Sequence, residues 1–302
     1  MVKLACGVSA DTQTFVIGNH LNGEESSSMS LLKIDTERCH RDGICADVCP
    51  AVIITLNGDN GYPAVVEGGE ERCIRCGHCV TVCPHGALDH AVMASEQCPV
   101  IDKERMPDRR QVTQFLRARR SIRRYREETL DRETLANLID TARFAPSGHN
   151  YQPVHWLVVQ APEDVRRLAG LVADWMRHLI AEDNPLAAAM HMDKVVEAWD
   201  KGHDRICRSA PHLVVAHAAK ANPTAPAAAT IALTYLDLAA ASMGLGACWA
   251  GYFNLAANVW PPLKEALALP EGHAPFGAMM VGRPQYRYQR LPLRNEPQII
   301  WR

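Results

Sequence analysis

The twelve residues Cys73-Ile74-Arg75-Cys76-Gly77-His78-Cys79-Val80-Thr81-Val82-Cys83-Pro84 organise the N-terminal third of this chain. Residues 39–50 carry the same spacing 34 positions earlier, except that Asp42 stands where the later run has Cys76. Seven of the 11 cysteines of the 302-residue chain fall within residues 39–83. Such a dense cluster in a long chain indicates a metal or cluster site, because a disulfide scaffold is typical of shorter secreted chains.

The spacing Cys-x2-Cys-x2-Cys-x3-Cys-Pro resembles the bacterial ferredoxins that hold two [4Fe-4S] clusters, in which the fourth cysteine of each run ligates the other cluster. This resemblance implies that cluster A is bound by Cys49, Cys73, Cys76 and Cys79. It gives cluster B to Cys39, Cys45 and Cys83, with Asp42 at the fourth position. Four thiolates also suit zinc, but the two Cys-Pro endings and the repeat favour iron–sulfur.

Asp42 departs from the ferredoxin pattern and leaves two interpretations of cluster B open. A carboxylate is a harder ligand than a thiolate, so an iron bound by Asp42 should be held less tightly than the other three. Cluster B would then be an Asp-ligated [4Fe-4S] cluster, or would lose that iron to become [3Fe-4S]. Alternatively, Asp42 is a loop residue beside a cluster that already has three irons.

Composition excludes several classes of protein. Hydrophobic residues make up 47% of the chain, enough for a buried core, and a net charge of −2 argues against wholesale binding to nucleic acid or an anionic membrane. Between Ala225 and Phe253 the only charged residue is Asp237. A mid-span Asp is costly in lipid, so we expect a buried interface helix at about Ala227–Met243. We expect a soluble, cytoplasmic protein with no membrane span.

The chain divides into four predicted segments: a flexible N-terminal leader at 1–29, a two-cluster ferredoxin domain at 30–92, a linker at 93–110 and an α+β domain at 111–302. Within the last segment, Asp131 can cap a helix that carries Leu135 and Leu138 on one face. Further patterns predict a buried strand, a helix beginning at a proline, and two more strands, at Val154–Val159, from Pro162, at Leu213–Ala216 and at Ala278–Val281.

Arginines crowd residues 117–126, a pattern that by itself indicates a solvated face or, at times, a nucleic-acid patch. Together with four later segments, this region resembles the FMN-dependent nitroreductase family over residues 110–302. The matching motifs occur in the family's order, at residues 119–123, 145–153, 244–251, 281–284 and 290–292. The two resemblances together imply an α+β protein, with a ferredoxin-like two-cluster domain followed by an FMN-dependent nitroreductase domain.

The nitroreductase resemblance implies a set of flavin-binding residues in this chain. Guanidinium groups bind phosphate oxygens bidentately, and the residues implied around the phosphate and ribityl chain are Arg119, Ser121, Arg123 and Arg290. Arg120 would lie near the isoalloxazine carbonyls, and Ala250 and Gly251 would offer backbone N–H groups to the ring. Because family sites span a homodimer interface, the partner subunit would contribute Pro146, Ser147, Gly148 and Asn150.

The leading hypothesis is an oxidoreductase that passes electrons between two iron–sulfur clusters and FMN to reduce a small organic acceptor of nitro, quinone or enone type. No catalytic acid or base is assigned, and Cys207 and Cys248 are expected to be buried small residues. The candidate electron donors are reduced ferredoxin and NAD(P)H. One alternative is that NAD(P)H reduces the flavin and the clusters carry electrons outward. A further alternative is a redox sensor or electron-transfer protein without turnover.

Overall fold

The computed structural model describes residues 30–57 and 61–302, so the predicted leader at 1–29 lies outside the described residues. The chain forms two compact units. The first runs to Cys73 and again from Gly77 to Pro99, and the second comprises Ile74–Cys76 and Val100–Arg302.

The first unit consists of short helices and two antiparallel strand pairs around a small apolar core. Its elements in chain order are β1 (Leu32–Ile34), α1 (Ile44–Asp47), β2 (Ile54–Asn57), β3 (Tyr62–Val65), α2 (Gly69–Arg72), α3 (His78–Val82) and β4 (Leu88–His90). Strand β1 pairs with β4, and β2 pairs with β3. The core includes Leu32, Ile53, Val80 and Leu88.

The sequence repeat is also a backbone repeat. Three pairs of residues, each 34 positions apart, share a left-handed conformation, namely Arg41 and Arg75, Gly43 and Gly77, and Val52 and Gly86. After the last cysteine of each run the same turn follows: the Val52 N–H donates to the Cys49 carbonyl, and the Gly86 N–H donates to the Cys83 carbonyl. Asp42 and Cys76 therefore occupy equivalent places, each between two left-handed residues.

The segment predicted as a linker, 93–110, is more structured than the sequence analysis expected. Met93 and Cys98 pack against the core of the first unit, which extends to Pro99. A ten-residue helix, α4 (Arg109–Ala118), begins before the predicted linker ends. Asp108 caps this helix by accepting from the Gln111 N–H at 2.8 Å, and the Gln111 side chain accepts in return from the Asp108 N–H.

The second unit is built from eight helices, counting α4, and four strands among the described residues. After α4 these are α5 (Arg132–Ala142), β5 (His155–Val159), α6 (Pro162–Ala181), α7 (Pro185–Ala189), α8 (Met192–Asp200), β6 (His212–Ala219), α9 (Ala225–Ser242), β7 (Gly246–Trp249), α10 (Gly251–Val259), α11 (Pro261–Leu267) and β8 (His273–Gly282). The strands form one antiparallel sheet in the order β5-β6-β8-β7.

Both faces of this sheet are covered, because successive side chains of its central strands alternate between two buried clusters. On β6, Leu213 and Val215 belong to one buried cluster, while Val214 belongs to another on the opposite face. Successive strand side chains point to opposite faces, so two helical layers enclose the sheet. Helices α5 and α9 supply one layer, and α6, α8, α10 and α11 supply the other.

The local patterns in the second unit predicted its elements well. Asp131 caps α5 by accepting from the Thr134 N–H at 2.6 Å, and α6 begins at Pro162. The strand predicted at Val154–Val159 is β5, one residue shorter at its start, and the other two predicted strands lie within β6 and β8. Helix α9 is the one helix in the described part of the chain that is long and apolar enough to cross a membrane by length and composition. It packs Leu233 and Leu236 into the core.

Candidate cofactor sites

A cavity in the first unit brings together all four predicted ligands of cluster B. Cys39, Asp42, Cys45 and Cys83 line it, together with apolar residues that include Ile34 and Leu88. Burial raises the pKa of the Cys45 thiol, and the nearby Cys39 and Asp42 raise it further. Bound iron would hold these thiols as thiolates. The donor set and the cavity therefore fit an iron–sulfur cluster.

One carboxylate oxygen of Asp42 accepts a hydrogen bond from the backbone. Its Oδ1 accepts from the Ile44 N–H at 3.2 Å, an interaction that orients the carboxylate at the start of α1. A carboxylate has two oxygens and about four acceptor positions, so this hydrogen bond is compatible with iron binding through Oδ2. Both interpretations of Asp42 are compatible with this geometry, and its backbone position is equivalent to that of Cys76, a predicted ligand of cluster A.

Three of the four predicted ligands of cluster A lie around the core of the first unit. Cys49, Cys73 and Cys79 pack against the apolar cluster of the first unit, and Cys76 is half-buried. Across the described residues, no three His, Cys, Asp or Glu side chains converge on the position of a single metal ion. A cubane cluster needs a wider arrangement, because its four cysteines bind four different irons.

In the second unit, the arginine-rich segment after α4 is fixed to the edge of the sheet. The Ile122 N–H donates to the Ala247 carbonyl on β7 at 3.0 Å, and the Arg126 N–H donates to the Arg283 carbonyl at 2.9 Å. Gly246 makes this approach feasible, since a Cβ there would lie 2.4 Å from the Ile122 side chain. Ile122 is buried and Arg123 is exposed. The segment therefore presents its polar side chains away from the core.

Arg119 is held by a partner that the sequence analysis did not connect with it. Its Nη1 donates to Oδ2 of Asp237 on α9 at 3.1 Å. Asp237 is the isolated charge noted in the apolar sequence, and its burial raises the pKa of its carboxyl, an effect that Arg119 opposes. An isolated charge in a buried helix is a sign that a paired charge lies opposite it.

Ser121 and Arg123 lie near Cys248 and Arg208, two residues that were given no role in the flavin site. Burial raises the pKa of the Cys248 thiol, and the positive charges of Arg123 and Arg208 and the Ser121 side chain oppose this rise. Cys207 is fully buried, with a pKa raised by the same cause. Both cysteines are therefore the buried small residues that were expected.

The loop that contains Pro146, Ser147, Gly148 and Asn150 is conformationally unusual. His149, Asn150 and Gln152 all have positive φ, between 46° and 53°. Outside glycine such values are uncommon, and they concentrate at functional sites. The loop is closed by the Gln152 N–H, which donates to the Ser147 hydroxyl at 2.9 Å. Pro146 and Gly148 are exposed, whereas Ser147 and Asn150 are half-buried.

The prediction for Ala250 requires a correction. Its N–H donates to the Ala278 carbonyl at 2.9 Å, so the sheet already uses the donor that was assigned to the flavin ring. Gly251 differs, because it is the first residue of α10, and the N–H groups of a first helical turn have no partner within the helix. A Cβ on Gly251 would meet no atom within 4 Å.

The remaining predicted flavin ligands are accessible. Arg290 is exposed in the C-terminal segment, which forms neither helix nor strand. Arg120 is half-buried, with its guanidinium carbon 5.8 Å from the centre of the Tyr288 ring. The structure thus places Arg119, Arg120, Ser121 and Arg123 on one fixed segment.

A thiol-lined cavity in one unit and a basic segment beside a covered sheet in the other define a redox protein with two kinds of cofactor site. Comparisons with known proteins agree with this class. The model of the nitroreductase family matches residues 116–283, more than half of the chain, and a model of the 4Fe-4S dicluster domain matches residues 31–84. The chain therefore belongs to the nitroreductase family of FMN-dependent oxidoreductases and carries an N-terminal 4Fe-4S dicluster domain.

Individual relatives are distant. A protein of Methanothermobacter thermautotrophicus, named as an NADH dehydrogenase/NAD(P)H nitroreductase, is 25% identical over 173 residues, which cover 57% of this chain and 77% of that protein. Two solved nitroreductases with bound FMN share the fold. That of Bacteroides fragilis is 20% identical with a TM-score of 0.52, and covers 64% of this chain and 99% of its own. That of Desulfitobacterium hafniense is 22% identical with a TM-score of 0.51, and covers 63% and 96%.

Proposed function

We propose that this chain is an iron–sulfur flavoprotein oxidoreductase in which two clusters and FMN exchange electrons to reduce a small organic acceptor of nitro, quinone or enone type. One observation carries the proposal: a single chain joins a dicluster domain at residues 31–84 to a nitroreductase-family domain at residues 116–283. When bound, FMN supplies two-electron chemistry to the acceptor, while the clusters pass single electrons.

In this proposal the two runs of cysteines, at residues 39–49 and 73–83, hold the clusters. Cluster A takes Cys49, Cys73, Cys76 and Cys79. Cluster B takes Cys39, Cys45 and Cys83, with Asp42 as its fourth ligand. The cavity lined by the four residues of cluster B supports this assignment, as does the equivalence of Asp42 with Cys76 in the backbone repeat. The carboxylate ligand makes cluster B the more labile of the two.

The second unit would hold FMN through its arginine-rich segment. Two arginines, Arg119 and Arg123, act with Ser121 on the phosphate, which carries about two negative charges. Arg290 joins them from the C-terminal segment, and Arg120 lies at the ring carbonyls. The Gly251 N–H, at the start of α10, serves the ring. Asp237 orients the Arg119 guanidinium through its charge-assisted hydrogen bond.

We further propose that the site is completed by a second copy of the chain. The solved relatives are described as nitroreductases with bound FMN, and in the proposed homodimer the partner subunit supplies the loop of Pro146, Ser147, Gly148 and Asn150. The exposed Pro146 and Gly148 support that assignment, whereas the Asn150 amide already donates to the Ile74 and Arg75 carbonyls of its own chain. Light scattering should give twice the chain mass of 33.3 kDa, and a monomer that binds FMN fully would contradict the shared site.

An anoxic reductive titration of the purified protein tests the proposal. We expect one FMN and about seven to eight irons per chain, with flavin and cluster absorption both bleached by dithionite. Electron paramagnetic resonance (EPR) spectra should show two distinguishable clusters. A folded protein isolated anoxically without iron and flavin, and unable to bind either on reconstitution, would contradict the proposal.

A second candidate reverses the direction of electron flow. The name of the Methanothermobacter relative includes NADH dehydrogenase, and this favours NAD(P)H as the donor with the clusters carrying electrons outward. Stopped-flow mixing distinguishes the two directions. If NADH bleaches the flavin before the clusters, and reduced ferredoxin reacts slowly, the second candidate holds. If reduced ferredoxin bleaches the clusters first and NADH is inert, the leading proposal holds.

A further inference from the structure

His90, the last residue of β4, lies beside a proposed ligand of cluster A. Its Nε2 is 3.4 Å from Sγ of Cys73, a hydrogen-bonding distance for sulfur. The ring is buried, with only 6% of the residue exposed. His90 stands outside both cysteine runs, so their spacing gives no sign of its role.

A second hydrogen bond determines which nitrogen of the His90 ring carries the proton. The Val92 N–H donates to Nδ1 of His90 at 3.1 Å. A backbone N–H can only donate, so Nδ1 presents a lone pair. A neutral imidazole with a bare Nδ1 carries its hydrogen on Nε2. The Nε2–H therefore points at the Cys73 sulfur as a donor.

The backbone also fixes the position of the ring. His90 and Met93 exchange two backbone hydrogen bonds, of 2.9 and 2.8 Å, which close a tight turn. Met93 in turn packs closely on the ligand loop, since a Cβ on Gly77 would lie 2.7 Å from the Met93 sulfur. The backbone hydrogen bonds and the Met93 packing therefore hold the donor in place.

We propose that His90 is a positioning residue that sets the reduction potential of cluster A by donating an Nε2–H···S hydrogen bond to the Cys73 thiolate. A reduced cluster carries more negative charge on its sulfurs, so the hydrogen bond stabilises the reduced state and raises the potential. The inference rests on the proposed function, specifically on Cys73 as a cluster ligand.

The repeat supplies an internal contrast. The residue 34 positions before His90 is Leu56, on β2. A leucine side chain cannot donate a hydrogen bond, so cluster B has no such donor from the equivalent position. The matched substitution is therefore His90→Leu, because it places at residue 90 the side chain that the repeat already has at the equivalent position, residue 56.

The experiment is an EPR-monitored redox titration of the holoprotein carrying His90→Leu or His90→Gln. In His90→Leu we expect a more negative potential for cluster A, an unchanged potential for cluster B, and unchanged iron content. In His90→Gln, where an amide N–H can replace the donor, we expect a smaller shift. An unshifted cluster A in His90→Leu with full iron content would overturn the inference, and so would equal shifts of both clusters.

A second measurement does not depend on the variants that remove His90. In wild-type holoprotein labelled with 15N-histidine, pulsed EPR of reduced cluster A should detect a ring-nitrogen coupling. The coupling should persist in His78→Gln, which removes an exposed histidine at the start of α3, between Cys76 and Cys79. Absence of the coupling, or its loss in His78→Gln, would overturn the inference. A wild-type protein without iron would instead overturn the proposed function, and this inference with it.

Discussion

The two units of this protein build their cofactor sites in different ways. In the first, the proposed ligands lie within residues 39–83, and short spacings along the chain bring them together. In the second, the basic segment depends on distant partners: Arg119 pairs with Asp237, 118 positions away, and Ile122 bonds to Ala247. A site of the first kind should lose its cofactor when a single ligand is removed. A site of the second kind should fail when the scaffold beneath it is disturbed.

The largest effect is expected from the fourth cysteine of each run. Cys49→Ala should abolish the EPR signal of cluster A and Cys83→Ala that of cluster B, each lowering iron from about eight to about four per chain. FMN content should not change. Cys98→Ala is the matched control, since Cys98 lies outside both runs, and it should keep all of the iron. If Cys49→Ala removed cluster B instead, the exchange of ligands between the runs would be wrong.

A substitution that disturbs the sheet beneath the basic segment of the second unit should lower the FMN content and leave the iron content unchanged. In Gly246→Ala the new methyl group meets the Ile122 side chain, and overpacking of this kind costs about 1–3 kcal/mol of unfolding free energy. We expect lower FMN occupancy with unchanged iron. Gly170→Ala in α6 is the control, because its Cβ would make an ordinary 3.6 Å contact with Trp199. Urea unfolding measures the stability of each variant, and flavin analysis measures its FMN content. Equal stabilities of Gly246→Ala and Gly170→Ala would contradict the prediction.

A milder test alters one phosphate contact. Arg123→Gln removes an exposed charge from the proposed phosphate site, and a hydrogen bond to a charged group contributes about 1.5–3 kcal/mol. FMN affinity, measured by fluorescence quenching, should fall about tenfold or more, and its dependence on salt should weaken. Arg143→Gln, which removes an exposed arginine paired with Asp140, should leave the affinity unchanged. An Arg123→Gln protein that binds FMN as tightly as wild type would exclude this residue from the site.

One substitution gives the two proposed clusters the same set of four cysteine ligands. Asp42→Cys gives cluster B a fourth thiolate, which should hold its iron more firmly than a carboxylate. We expect the wild-type protein to lose about one iron per chain during mild oxidation, converting cluster B to [3Fe-4S], and the variant to retain it. EPR of the oxidised protein detects the three-iron product. Equal losses from both proteins would favour Asp42 as a loop residue.

The last expected effect leaves both cofactors in place and is a dependence of the second unit's stability on pH. Burial, with His273 and His155 nearby, lowers the pKa of His217 from 6.5 to about 4. As pH falls below 6.5, His217 becomes protonated in the unfolded state but not in the folded state, where protonation begins only near pH 4. The free energy of unfolding therefore decreases as pH falls from about 6.5 to about 4. Burial also lowers the pKa of His212, which adds to the decrease.

Tryptophan fluorescence isolates this effect, because all six tryptophans lie beyond residue 155. Urea unfolding between pH 7 and pH 4.5 should show a shallower decrease in His217→Asn than in wild type. His203→Gln, which replaces an exposed histidine, should follow the wild-type curve. A wild-type stability that is constant over this range would show that His217 has the same pKa in the folded and unfolded states, and would contradict the prediction.

The contrast between the units also explains what the sequence could predict. Cysteine spacing, the cap at Asp131 and the proline that begins α6 are local signals, and the elements they predicted are present. Helix α4 was missed, although Asp108 and Gln111 form a capping box that signals its start. The Arg119–Asp237 pair and the engaged N–H of Ala250 depend on how the chain folds back upon itself. No local pattern contains that information.

The central claim is that clusters and flavin belong to one electron route that ends at an organic acceptor. Its most direct test is stopped-flow oxidation of fully reduced protein by a nitroaromatic or quinone acceptor without oxygen, comparing holoprotein with FMN-depleted protein of equal iron content. The account predicts fast reoxidation of both clusters in the holoprotein, slow reoxidation without FMN, and recovery when FMN is restored. Clusters that reoxidise equally fast with and without FMN would contradict it.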